Sequence, residues 1–106
     1  MVKTYNKLVR DRIPEIIQSN GQICRTKPLT DEEYIEALDA KLQEECAEYK
    51  ESRSIEELAD IFEVLCAMAI CHGFTKEELI AAQEQKRADR GCFEGRIFLI
   101  DVQSLD

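Results

Sequence analysis

Three stretches of the chain repeat apolar residues at helical spacing, and each is introduced by a helix-start signal. In residues 31–51 the apolar stripe is Ile35, Leu38, Leu42, Cys46 and Tyr49. In residues 55–72 it is Ile55, Leu58, Ile61, Phe62, Leu65 and Ala69, and the run Val64 to Cys71 is apolar all round, which predicts burial on every side. In residues 76–90 Leu79, Gln83, Lys86 and Arg90 fall along one line. The starts Thr30-x-x-Glu33, Ser54-x-x-Glu57 and Thr75-x-x-Glu78 fit the capping box, in which a hydroxyl and a carboxylate satisfy free N–H groups reciprocally. Gly73 and Gly91 suit the left-handed residue that follows a helix. A shorter helix is expected to open near Ile13, with Pro14 in its first turn, and to stop before Gly21. Residues 22–28 and 96–102 read as extended and are expected to pair as a two-stranded sheet. The prediction is an all-α fold of three long helices and a short N-terminal one, with a minor β element.

Helical phase then separates unusual acids from ordinary ones. Glu45 falls inside the apolar stripe of its helix, Glu48 on the edge of that stripe, and Glu44 points more towards water. On the next helix Glu57 and Asp60 lie on a second line, continued by Val64, Ala67 and Cys71, which places them at the mouth of a crevice. Glu56 and Glu63 face further round, towards solvent. A carboxylate on a core face is costly unless paired, protonated or bound to a cation. If the two helices pack antiparallel after the short turn at residues 52–54, the pairs Glu45/Glu48 and Glu57/Asp60 face one another near that turn. Oxygen-only ligands suit Mg²⁺ or Mn²⁺, with water positions left for substrate phosphates. Each acid also has a plainer reading: Glu57 closing a capping box with Ser54, and Glu48 as a surface acid.

Charge sharpens this picture. The net charge of −8 excludes nonspecific attachment to a nucleic-acid backbone. Between Asp31 and Glu63 lie 13 of the 22 acidic residues, with only Lys41, Lys50 and Arg53 of opposite sign. Basic residues gather near the ends: Lys3, Lys7, Arg10 and Arg12 at one, Lys86, Arg87, Arg90 and Arg96 at the other. Lys86 and Arg90 are candidates to clamp phosphate oxygens, with compensation of a helix dipole as the plainer reading; Lys7, Arg10 and Arg12 admit the same two readings. Five cysteines, odd in number and without C-x-x-C spacing, argue for reduced thiols and against a zinc site. No apolar run is long enough for a membrane span and no signal core follows the basic N-terminus, so a single cytoplasmic domain over 1–106 is expected.

With these residues in place, the chain resembles the MazG-like, all-α nucleoside triphosphate pyrophosphohydrolases, a superfamily that also contains phosphoribosyl-ATP pyrophosphohydrolase and dimeric dUTPases. The resemblance lies in Glu44-Glu45-Cys46-Ala47-Glu48 followed by Glu57-Leu58-Ala59-Asp60, with an opening segment Tyr5 to Ile17 and a closing segment Lys86 to Leu99 similar to those of a small stand-alone branch. It implies that Glu45, Glu48, Glu57 and Asp60 bind Mg²⁺, that Glu44 or Glu48 orders or deprotonates the attacking water, and that Lys86 and Arg90 contact phosphate. Cleavage between the α and β phosphates would give a nucleoside monophosphate and pyrophosphate. Only eight residues separate Glu48 from Glu57, fewer than is usual in the family, which bears on nucleotide preference and assembly.

Three rival functions share some of these features. A phosphoribosyl-ATP pyrophosphohydrolase of histidine synthesis would carry the same acid motif. A non-catalytic helical module would use the acids as a partner surface. A metal buffer would require a ligand loop of the D-x-D-x-D-G kind, which the sequence lacks. Since one chain supplies only three long helices, a homodimer or homotetramer completing a four-helix bundle is expected.

Overall fold

The computed structural model describes residues 1–105. Four helices follow in order: α1 (Ile13–Ser19), α2 (Asp31–Ser52), α3 (Ile55–Cys71) and α4 (Lys76–Arg90). The caps explain the boundaries. Thr30 and Thr75 each accept from the N–H three residues on, while Glu33 and Glu78 accept from the capping residue's own N–H, closing two capping boxes. Helix α2 stops at Arg53, a non-glycine residue in the left-handed region (φ +55°), whose N–H donates to the Tyr49 carbonyl at 2.7 Å. Its guanidinium lies 5.1 Å from the centre of the Tyr49 ring. Gly73 (φ +87°) and Gly91 (φ +85°) follow α3 and α4, where a side chain would be strained.

The α2–α3 hairpin is the packed unit. The helices run antiparallel, so Ile35 and Leu38 near the start of α2 share a cleft with Met68, Cys71 and His72 at the end of α3. Leu38, 3% exposed, is the most buried apolar side chain, and Val64 and Cys66 are the others fully inside. Helix α4 touches α3 alone among the helices. The line through Glu57, Asp60 and Val64 faces α2. The stripe richest in large apolar residues does not: Ile55, Leu58, Phe62 and Leu65 all stay exposed. The expected all-round burial of Val64 to Cys71 is therefore incomplete within one chain, with Ile70 61% exposed.

The expected β element is absent among the described residues. Segments 22–28 and 96–102 are non-helical, as read, but form no ladder. A lone two-stranded ribbon needs a third strand or a helix against its apolar face, and here Ile97, Phe98, Leu99 and Ile100 project into solvent. The chain measures 67 × 32 × 23 Å, with a radius of gyration of 18.8 Å, against about 13 Å for a compact domain of this length. Its accessible surface of 9919 Å² compares with about 6,000 Å² for a compact monomer of this mass.

Candidate metal centre

The acids meet at the turn end of the hairpin. Glu45 reaches inward from α2, with a side chain only 8% exposed. One of its oxygens lies 3.3 Å from Lys41 Nζ, a turn earlier on the same helix; the other, Oε2, is buried without a hydrogen-bond partner. Opposite, Ser54 caps α3 by accepting from the Glu57 N–H. The Glu57 carboxylate does not complete the capping box, and its Oε2 is likewise buried and unpartnered. Asp60 stands one turn further on. An oxygen from each of Glu45, Glu57 and Asp60 lies within 4.8 Å of the others. Glu48, the fourth predicted ligand, is exposed and falls outside this closest group, although its charge acts on both Glu45 and Glu57.

The electrostatics follow the packing. Burial pushes the Glu45 carboxyl above its ordinary range; Lys41 opposes this, and Glu48 and Asp60 add to it. Glu57 is raised too, first by desolvation and then by the charges of Glu48, Asp60 and Glu45. Glu44 goes the other way, held low chiefly by its hydrogen bond from Lys7, and the same bond raises Lys7.

Three cations attend the acids. Lys7 Nζ donates to Glu44 Oε1 at 3.0 Å. Arg10 donates from Nη2 to Asp60 Oδ1 at 2.7 Å and places Nη1 3.9 Å from Glu63. Lys41 lies 3.4 Å from Glu44 as well as beside Glu45. Of the predicted phosphate contacts, Lys7 and Arg10 are thus brought to the cluster, paired with its carboxylates. Lys86 and Arg90 are exposed on α4 and form no ion pair with the acids within the chain. Lys41 had no assigned role in the sequence, yet its i+3 and i+4 neighbours are Glu44 and Glu45, a spacing that puts it beside both.

The donor set fits a hard divalent cation. It is all oxygen, and two buried carboxylate oxygens lack any hydrogen-bond partner.

Fold and site together define an all-helical chain with a carboxylate centre on an antiparallel hairpin. Comparison with known proteins adds one relative, an uncharacterised protein of Mycolicibacterium smegmatis, 54% identical over 44 residues. The match covers 42% of this chain and 45% of that relative, less than half the length of either. No protein-family model matches the chain, and no solved structure does.

Proposed function

We propose that the chain is a Mg²⁺-dependent nucleoside triphosphate pyrophosphohydrolase of the nucleotide-sanitising kind, with Mn²⁺ as an alternative ion. The observation that carries the reading is the convergence of Glu45, Glu57 and Asp60 from two helices, with one oxygen of Glu45 and one of Glu57 buried and without a hydrogen-bond partner. Buried carboxylates in excess of their cations are destabilising, and a divalent cation held by Glu45, Glu57 and Asp60 would relieve them. The resemblance of the acid motif and of the opening segment supplies the reaction class.

Held by Glu45, Glu57 and Asp60, Mg²⁺ would supply Lewis-acid polarisation of phosphate oxygens and would favour ionisation of an attacking water. The protein's own residues do the rest. Glu44 is occupied by Lys7 and Lys41, which leaves Glu48, exposed and next to Glu57, as the better base. Glu48 takes a proton from the water as its oxygen bonds to the α-phosphorus. The bond from that phosphorus to the bridging oxygen breaks, and pyrophosphate departs with the electron pair. Lys7 and Arg10 are the cations near enough to hold its charge.

The same reading includes assembly with further copies of the chain. One chain leaves Ile55, Leu58, Phe62 and Leu65 of α3 exposed, and a homodimer or homotetramer would cover that face.

Pyrophosphate release, measured across dNTPs, dUTP and phosphoribosyl-ATP with Mg²⁺ present or chelated, tests the activity and separates sanitising from histidine synthesis. Asp60→Ala is expected to lower Mg²⁺-dependent release by about a hundredfold or more with circular dichroism unchanged. Full activity in that variant, or no nucleotide turned over by the wild type, defeats the reading.

A further inference from the structure

Lys7 and Arg10 belong to one short segment, yet they pair with acids on different helices: Glu44 on α2, and Asp60 and Glu63 on α3. Between them Leu8 and Val9 are half-buried, so the segment is seated on the protein and does not merely trail past it. Asn6 takes a left-handed turn (φ +46°) immediately before Lys7, and the Ile13 N–H donates to the Arg10 carbonyl at 3.0 Å as α1 begins. Through Lys7 and Arg10 the segment bridges α2 and α3 at the acidic cluster.

We infer that residues 7–10 form a cationic strap that competes with a divalent cation for the cluster, Arg10 holding Asp60 until the cation takes it. The inference rests on reading the cluster as a cation site. Asp60 has Arg10 as its ion-pair partner, whereas Glu45 and Glu57 each keep an oxygen buried and free. A cation drawn to those two oxygens approaches the guanidinium, and two like charges on the one Asp60 carboxylate repel, to a degree that solvent moderates at this partly exposed pair. Arg10 therefore leaves Asp60 as the cation enters. Released, Arg10 and Lys7 remain tethered at the mouth by Leu8 and Val9, facing the side from which a polyphosphate arrives. The strap links the two ligands: cation binding frees the side chains that then meet phosphate.

Titration with Mn²⁺, followed by the electron paramagnetic resonance of the free ion, tests this without any turnover. Arg10→Gln is expected to bind Mn²⁺ about three- to tenfold more tightly than the wild type, the range set by loss of one exposed ion pair and one nearby positive charge. Arg12→Gln, which removes the same charge from a side chain paired only with Glu15, is expected to leave the affinity unchanged. Asp60→Asn is expected to abolish binding in either background. Unchanged or weaker binding by Arg10→Gln, with Asp60→Asn still inactive towards Mn²⁺, overturns the strap and leaves the cation site standing; weaker binding would make Arg10 a residue that orients Asp60. An equal gain in Arg12→Gln also overturns it, since the effect is then net charge alone. If Asp60→Asn binds as well as the wild type, or no variant binds, the cation site itself fails and the strap with it.

Discussion

The two ends of the molecule handle their difficult groups differently. At the turn end of the α2–α3 hairpin, an excess of carboxylates is partly answered from within the chain by Lys7, Arg10 and Lys41. Along the outer face of α3 and in residues 93–105, large apolar side chains are covered only in part or hardly at all: Phe62 is 40% exposed, Phe98 88% and Leu105 102%. The difference is one of reach. An ion pair needs two side chains and a few ångströms, so a short chain can arrange it. Covering an apolar face needs an opposing surface of comparable area, and four helices of this length do not supply one.

The contrast is broken most sharply at the apolar face. Phe62→Asp puts a charge where the proposed partner copy docks and is expected to raise the dissociation constant about thirtyfold or more, an aromatic anchor being worth at least about 2 kcal/mol. Size-exclusion chromatography with light scattering checks this. A wild type that is monomeric at micromolar concentration would remove the assembly from the reading.

At the acidic end the expected effect is smaller and its sign depends on pH. Glu45 and Glu57 have folded-state values raised above the ordinary 4.5. They bind protons more tightly folded than unfolded, so metal-free stability falls as pH rises from about 4.5 through those raised values. Glu44 is lowered and acts oppositely: its contribution is present above 4.5 and is lost as pH falls through its folded value. Glu45→Gln is expected to stabilise the metal-free protein by about 1–2 kcal/mol at neutral pH and to flatten the decline, while removing any rise in Tm on adding Mg²⁺. Thermal melts from pH 4 to 8, with and without Mg²⁺, read both effects; a lower Tm at neutral pH would mean that Lys41 already compensates Glu45 in full.

The smallest expected effect is at the strap's other cation. Lys7 and Glu44 are 39% and 29% exposed, so solvent screens the pair. Lys7→Ala is expected to cost no more than about 0.5 kcal/mol, a difference that disappears in molar salt. Urea melts at low and high salt measure it, and a loss that persists in salt would locate the contribution in packing of the lysine stem.

Local chemistry made much of this legible from the amino acids. The three long helices lie where the caps at Thr30, Ser54 and Thr75 and the glycines after α3 and α4 put them, because a cap or an apolar period is written within a few consecutive residues. Helical phase likewise placed Glu45 inward and Glu57 and Asp60 on one line. What the sequence did not decide was which line of α3 meets α2. The stripe of Ile55, Leu58, Phe62 and Leu65 is the more apolar, yet it is the line of Glu57, Asp60 and Val64 that turns inward. The structure freed the Glu57 carboxylate from its cap, and only the tertiary arrangement laid Lys7 and Arg10 across the acids. It also left segments 22–28 and 96–102 unpaired. Pairings between distant segments depend on how whole elements are oriented in space, and no window of neighbouring residues carries that information.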